Sequence, residues 1–319
     1  MNDPLTVVHA FLTSAAVIDL TAACRGGTMT PVIDLDDRVN RAADHWSLTI
    51  GQALAGGTRS AVFAARDRVG QDLVLKLPAA RTDTQDLTAA EAAALSSWSS
   101  TGVAVTLVDA TPDALLLVRA RPGVLRPWSP DGTIDDGIAI AVDVLTRLWA
   151  QPAVAYRFPT LAEVYPQDER VARVDAAFEQ RQRGEPDRGV PGLLRLPVSA
   201  AAAEHLISTC REQRLLHGDF ITKNLVSDVT SPAGWVALDP LPMTGDPAAE
   251  VAAFAAYHPA ELILPIAEAL ARSLRLDTQR ALQWAAIWIV HQAAQAWRDD
   301  QEQLEHVVEL AAVNDLLAI

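Results

Sequence analysis

Cysteine appears only twice in this chain, at Cys24 and Cys210, far apart in sequence. That excludes a disulfide framework, and a zinc site would need paired ligands at short spacing. A reducing, cytoplasmic setting is therefore expected. Basic charge is also scarce. Lys plus Arg number 26 against 40 Asp plus Glu, for a formal net charge of −14. A field of that sign repels nucleic acid and anionic membranes, and no basic run offsets it. It attracts a cationic small molecule, although it serves solubility equally well. No uninterrupted apolar run reaches the about 18–20 residues of a membrane helix. The N-terminus has no basic residue before Arg25 and does not read as a secretory signal.

What is present is an apolar fraction of 50% with 21% charged residues over 319 positions. That length exceeds one ordinary core and suits two lobes. Residues 1–28 stand apart as an extension of uncertain status. An Ala- and Thr-rich run over 7–23 ends at Arg25-Gly26-Gly27, and Met29 follows. Met29 is a candidate natural start; a helix packed on the lobe behind it is the alternative.

From there the periodicity predicts a helix over 34–45 and strands over 48–54, 61–65 and 72–77. Gly56-Gly57-Thr58-Arg59-Ser60 breaks the first two strands apart, and Gly70 can supply a positive φ in the turn before the third. This order is an antiparallel meander. A helix over 84–99 carries Glu91, and strands over 103–109 and 114–118 complete a small lobe. Residues 119–123 read as a connector, because Pro122 and Gly123 end strand pairing. Beyond about residue 130 the pattern is mainly helical: 134–149, 170–182, 198–214, then helices from near 247, 259, 278 and 301. A polar loop fills 183–189, and two short strands, 225–226 and 235–238, interrupt. The expected class is α+β, with an N-lobe over 29–118, a connector over 119–123 and a helical C-lobe over 124–319.

Chemistry concentrates in one stretch: His217-Gly218-Asp219-Phe220-Ile221-Thr222-Lys223-Asn224, followed by Asp239-Pro240 at the end of an apolar run. Phosphoryl transfer from ATP needs such a set. One carboxylate takes the proton of the attacking hydroxyl, and an Asn and a second Asp hold Mg2+ on the nucleotide phosphates. Asp219 is the candidate base, and Asn224 and Asp239 are the candidate metal ligands. His217 reads as a hydrogen-bonding shaper of the loop. Each residue alone fits a turn or a cap; the set at this spacing carries the reading.

Lys76 is the only lysine in residues 1–222 and sits in an otherwise apolar strand. A lone ammonium there is costly unless paired. Glu91, fifteen residues on, can pair with it, so that Lys76 holds the α- and β-phosphates. A lysine snorkelling from an edge strand is the plainer alternative. Gly57, Thr58 and Ser60 can offer amides and hydroxyls to phosphate, although a hairpin turn fits the same residues. Asp246 reads as the N-cap of a helix that opens with Pro247. Trp284, Trp288 and His291 share a helix face, as a core stripe or an aromatic wall for substrate. Asp299, Asp300, Glu302 and Glu305 read as a solvated helix face.

These residues match a family. His217-Gly218-Asp219-x4-Asn224 with Asp239-Pro240 resembles the aminoglycoside phosphotransferase branch of the protein-kinase-like fold. The finer pattern is similar to the aminoglycoside/hydroxyurea resistance kinases, the group of streptomycin 6-phosphotransferases. It rests on Gly-Gly-Thr-Arg-Ser-Ala-Val-Phe, Leu-Val-Leu-Lys-Leu, Ala-Leu-Leu-Leu-Val-Arg-Ala-x-Pro-Gly and Leu-Asp-Pro-x-Pro-x-x-Gly-Asp-Pro. The likeness runs from about residue 30 to the end. It implies a two-lobed fold with a small antiparallel N-lobe, a larger helical C-lobe and ATP between them. Adenine would bond to connector backbone near Val118 and Ala120, and the helical lobe would hold the acceptor.

The activity implied is ATP- and Mg2+-dependent transfer of the γ-phosphate to a hydroxyl of a small-molecule antibiotic, a streptomycin-like aminoglycoside, giving resistance. The alternative is a metabolic or biosynthetic kinase acting on a sugar or nucleoside hydroxyl, since a fold does not name its acceptor. A nucleotide-binding scaffold without turnover would need no catalytic Asp. The expected partner is a cationic hydroxyl acceptor, with no nucleic acid or membrane, for a monomer or homodimer. Two departures stand out. Ile221-Thr222-Lys223 replaces the family's common His or Gly, so that Lys223 could alter acceptor binding or bond a phosphate. Glu250 stands where Asp is usual.

Overall fold

The computed structural model describes residues 35–54, 60–79, 84–125, 134–151, 155–164, 196–298 and 311–318. The expectations for residues 1–28, Gly57, Thr58, the helix over 170–182 with its polar loop, and the acidic residues 299–305 lie outside these.

The first lobe begins with α1 (Leu35–Trp46), then β1 (Thr49–Ala53), β2 (Ser60–Arg66) and β3 (Asp72–Pro78). Helix α2 (Thr84–Trp98) crosses to β4 (Leu107–Thr111), which turns into β5 (Ala114–Val118). The five strands form one antiparallel sheet in the order β1-β2-β3-β5-β4. Leu73, Leu75 and Leu77 of β3 are buried together with Leu116 of β5. Arg38 of α1 ties the sheet at two points, donating from Nη2 to the carbonyls of Pro78 at 2.7 Å and Asp113 at 2.9 Å. Strand β3 is central, with β2 on one side and β5 on the other, and Lys76 is buried. The edge-strand alternative for Lys76 is thereby ruled out.

The strand expected over 103–109 is shorter at its start. Residues 103–105 leave the sheet: the Val105 amide donates to the Ala237 carbonyl at 3.0 Å, and the Ala237 amide to the Val103 carbonyl at 2.8 Å. Val103 and Val105 are buried by this contact. An apolar run that reads as sheet strand instead bonds the small lobe to the large one, and its burial satisfies the same pattern.

The second lobe holds β6 (Pro122–Leu125), α3 (Ile134–Trp149), the one-turn α4 (Leu161–Val164), α5 (Leu196–Ser208), β7 (Arg214–Leu216), β8 (Leu225–Asp228), β9 (Trp235–Ala237) and β10 (Met243–Gly245). Helices α6 (Pro247–Ala255), α7 (Ala260–Ser273), α8 (Thr278–Arg298) and α9 (Ala311–Leu317) complete it. The expected connector is thus partly strand, because β6 pairs with β8 and β8 with β9. Pro122 opens an edge strand, where its missing N–H breaks no ladder. Helix α5 stops at Ser208, short of the expected 214. The hydroxyls of Ser208 and Thr209 donate to the His205 carbonyl at 3.0 and 2.7 Å, competing with the helical backbone. The chain then enters β7, which pairs with β10.

Asp246 caps α6 through Oδ1, which accepts from the Ala248 amide at 3.0 Å, with Pro247 in the first turn. Its Oδ2 accepts from Arg280 Nε at 2.5 Å and from Trp284 Nε1 at 2.7 Å. Trp284, Trp288 and His291 of α8 are buried in the large core. Among the described residues no helix is long and apolar enough to cross a membrane.

Candidate active site

Strand β7 ends at Leu216 and delivers His217, Gly218 and Asp219. Gly218 has φ +76°, and a Cβ there would lie 1.9 Å from the Leu241 carbonyl oxygen, so only glycine fits. The Leu241 amide donates to the His217 carbonyl at 2.8 Å. The His217 ring stacks on Trp98, centroids 6.0 Å apart and planes 9° apart, and meets Phe220 edge-on at 5.7 Å. Burial lowers its pKa to about 3, so the imidazole is neutral and packs as part of the wall.

Asp219 is buried, 6% exposed. Its neighbour is Asn224, brought back by the 3₁₀ turn Thr222–Asn224. Asn224 Nδ2 donates to the Asp219 carbonyl at 2.8 Å and to Asp219 Oδ2 at 2.9 Å. With Nδ2 committed to Asp219, the amide oxygen is the atom a cation could use. The β8–β9 hairpin then returns the chain, and the Leu238 amide donates to the Asn224 carbonyl at 2.8 Å. This places Asp239 beside the turn.

Asp239 has φ +55°, a left-handed backbone uncommon outside glycine and concentrated at functional sites. Its Oδ1 lies 2.8 Å from Lys76 Nζ, and its side chain is 40% exposed. Both oxygens of Glu91, from α2, lie 2.7 Å from the same ammonium. Burial opposes the charge on Lys76, but the Glu91 and Asp239 carboxylates outweigh it and raise its pKa. Burial likewise opposes ionisation of Asp239, and the Lys76 ammonium reverses the balance and holds the carboxyl below its ordinary range. The chain has only two lysines, and the other, Lys223, lies in the Thr222–Asn224 turn. Partial burial lowers Lys223 to about 8, with Asp239 pulling the other way.

The donor set fits a hard cation. An amide oxygen and a carboxylate are magnesium ligands, and Mg2+ is commonly held by one or two carboxylates together with substrate phosphates. Among the described residues no group of three or more His, Cys, Asp and Glu forms a closed metal cage. The arrangement therefore suits a metal that arrives with its phosphates.

Residues 45–301 match the aminoglycoside/hydroxyurea antibiotic resistance kinase family. The chain belongs to that family. A curated relative, streptomycin 6-kinase of Streptomyces glaucescens, is 27% identical over 209 residues, which cover 66% of this chain and 62% of that protein. The chain thus spans less than two thirds of that relative's length. Among solved structures, a choline/ethanolamine kinase family protein from Mesorhizobium loti aligns with a TM-score of 0.58 at 14% identity, covering 89% of this chain and 97% of that one. The streptomycin–ATP–APH(2")-IIa ternary complex aligns with a TM-score of 0.54 at 12% identity, covering 90% and 97%. These likenesses show the protein-kinase-like fold.

In this resistance-kinase family member, the structure gathers Lys76, Glu91, Asp219, Asn224 and Asp239 from both lobes. Ser60 opens β2 opposite Pro78, while Gly57 and Thr58 fall outside the described residues. The Val118 amide donates to the Thr106 carbonyl at 2.9 Å, so the Val118 carbonyl is the group that could serve adenine. Ala120 is half-buried in the connector, which Arg121 anchors by donating to Asp72.

Glu250 has a larger part in the site than its reading as a conservative change suggested. From α6 its Oε1 accepts the Gly218 amide at 2.7 Å, and its Oε2 accepts Trp149 Nε1 at 3.1 Å. Burial raises its pKa to about 7. The signal was present in sequence: Glu250 is the one charged residue in a buried, otherwise apolar helix, as Lys76 is among the apolar residues 73–77 of its strand. Trp98, which backs His217, carried no comparable signal.

Proposed function

We propose that this protein is an ATP- and Mg2+-dependent O-phosphotransferase that moves the γ-phosphate to a hydroxyl of a small-molecule antibiotic, an aminoglycoside of the streptomycin type. The observation that carries the chemistry is the convergence of Lys76, Glu91 and Asp239 within 2.8 Å contacts, beside an Asp219 bonded to Asn224. Family membership and the name of the Streptomyces glaucescens relative support the acceptor class. The ternary complex of APH(2")-IIa with streptomycin and ATP supports ATP as donor for this fold. A net charge of −14 favours a cationic acceptor. Inactivation of the drug would protect the cell, and the reaction belongs in the cytoplasm, where ATP is.

On this reading residues up to Val118 form the nucleotide lobe. The connector offers the Val118 carbonyl and the Ala120 amide to adenine, and the lobe beyond it holds the acceptor. Lys76, oriented by Glu91, binds the α- and β-phosphates. Asn224 and Asp239 would hold Mg2+, which would supply charge neutralisation on the nucleotide phosphates. Asp219 orients the acceptor hydroxyl and takes its proton as the oxygen attacks phosphorus in line. Asn224 keeps the Asp219 carboxylate aimed, and Glu250 fixes the turn that presents it.

The test is a panel of aminoglycosides, other antibiotics, sugars and nucleosides, each incubated with the purified chain and Mg–ATP and read by product mass. A phosphorylated aminoglycoside is the expected product. Phosphorylation of a sugar or nucleoside alone would replace the antibiotic reading with a metabolic one.

A further inference from the structure

Helix α3 ends at Trp149, a residue the mechanism above does not use. Its side chain is buried, and it meets the strand that delivers Asp219 at both ends. At the start of β7, the Arg214 guanidinium lies over the indole, 5.3 Å from the ring centroid. Past the end of β7, the Gly218 amide donates to Glu250 Oε1 at 2.7 Å, and the indole Nε1 donates to Glu250 Oε2 at 3.1 Å. Each oxygen of the buried Glu250 carboxylate thus has its own donor. One donor comes from the catalytic turn and the other from the end of α3.

The two bonds do different things. The torsion that sets the plane of a glutamate carboxylate is broad. The Gly218 amide fixes one oxygen and leaves the plane able to swing about that bond. The indole takes the second oxygen and stops the swing. One turn earlier on α6, Asp246 is held in a similar way by Trp284 Nε1 at 2.7 Å, but its other oxygen caps the helix. The other oxygen of Glu250 holds the residue before Asp219. That turn has little room to adapt. Gly218 has φ +76° and is pressed against the Leu241 carbonyl, and the Leu241 amide holds the His217 carbonyl at 2.8 Å. A shift of the Gly218 amide is therefore passed on to Asp219. Misplacing a reacting group by about 1 Å can cost about 10²-fold in rate.

We propose that Trp149 is a positioning residue for phosphoryl transfer: through Glu250 and the Gly218 amide it keeps the Asp219 carboxylate aimed at the acceptor hydroxyl. The inference rests on the phosphotransferase reading above. Trp149 acts at one remove, so its loss falls on the transfer step and not on the binding of either substrate.

The test compares wild type, Trp149→Phe, Glu250→Gln and the double variant. Phenylalanine keeps an aromatic ring and lacks the N–H. Glutamine keeps the size of Glu250, but its single oxygen can serve only one of the two donors. Transfer from Mg–ATP to an acceptor that wild type phosphorylates is followed alongside hydrogen exchange on a peptide spanning residues 214–220. Each single variant is expected to lower kcat by about 10- to 100-fold with both KM values near those of wild type. Trp149→Phe should also speed exchange of the Gly218 amide. The double variant should be no slower than the slower single variant, because both changes break the same link. Losses that multiply in the double variant would overturn the proposal. So would unchanged Gly218 exchange in Trp149→Phe, or a kcat that falls only with the folded fraction, either of which would leave Trp149 a packing residue. Should Trp149→Phe fail to fold, Glu250→Gln decides alone, and wild-type kcat in that variant refutes the link. A wild type that transfers phosphate to no acceptor would sink the phosphotransferase reading and this proposal with it. A wild type that transfers, with kcat unaltered in Trp149→Phe, sinks this proposal alone.

Discussion

Two acidic residues of the large lobe each face a cation, and they are built differently. Asp246 is closed, at 3% exposure. The Ala248 amide, Arg280 and Trp284 surround its two oxygens, and Arg280 also reaches the Leu206 carbonyl and the Thr209 hydroxyl, so the cluster joins α5, α6 and α8. Asp239 is open. One oxygen meets Lys76, the side chain is 40% exposed, and the backbone is held in a left-handed conformation that, among the described non-glycine residues, only Ser47 and Arg275 share. A carboxylate whose hydrogen bonds all come from its own fold serves stability. One held half-open under strain, among other charges, is available to a ligand. Identity and spacing of the residue do not make this distinction; the number of partners does.

The largest effect that separates the two should come from Asp246→Ala. It leaves the Arg280 guanidinium without its buried carboxylate and removes the cap of α6, at a cost of about 3–5 kcal/mol. Urea unfolding would read the loss, and a variant as stable as wild type would break the contrast from the structural side.

Glu250 lies between the two types, closed by Gly218 and Trp149 yet adjoining Asp219. Its folded pKa of about 7 lies above the ordinary 4.5, so the folded protein keeps a proton that the unfolded chain has released. Its contribution is fully present below pH 4.5 and is lost as pH rises to about 7. The difference amounts to about 3 kcal/mol. Glu250→Gln, which cannot ionise, should flatten this slope when unfolding is followed across that range. Parallel slopes for the two proteins would show that Glu250 does not titrate there.

The smallest effect on the fold should come from Asp239→Asn. Asn tolerates the left-handed backbone, and Lys76 keeps Glu91, so stability should change by about 1 kcal/mol or less. Binding of Mg–ATP should nevertheless weaken by about tenfold or more. Unchanged nucleotide affinity with a collapsed melting temperature would place Asp239 in the structural class with Asp246.

The candidate site was legible to the extent that its residues break a local pattern. Lys76 interrupts an apolar strand, and Asp219, Asn224 and Asp239 recur at spacings that a turn and a hairpin can close. Glu250 breaks its helix in the same way and was legible in principle. The pairings were not. Residues 103–105 satisfy a strand pattern wherever they are buried, and only the position of Ala237 decides that they bridge the lobes. Strands β6, β7 and β10 have three or four residues each, too few for an alternating pattern, and their partners lie far along the chain. The end of α5 was set by hydroxyl-to-carbonyl bonds that helical periodicity does not register.

The most direct test of the central claim, that the Asp219 carboxylate serves chemistry while the fold stands without it, is Asp219→Ala assayed with Mg–ATP and an aminoglycoside that the wild type phosphorylates. The account predicts a loss of transfer of about 10²- to 10⁴-fold, with ADP affinity and melting temperature near those of wild type. Transfer at the wild-type rate would contradict it.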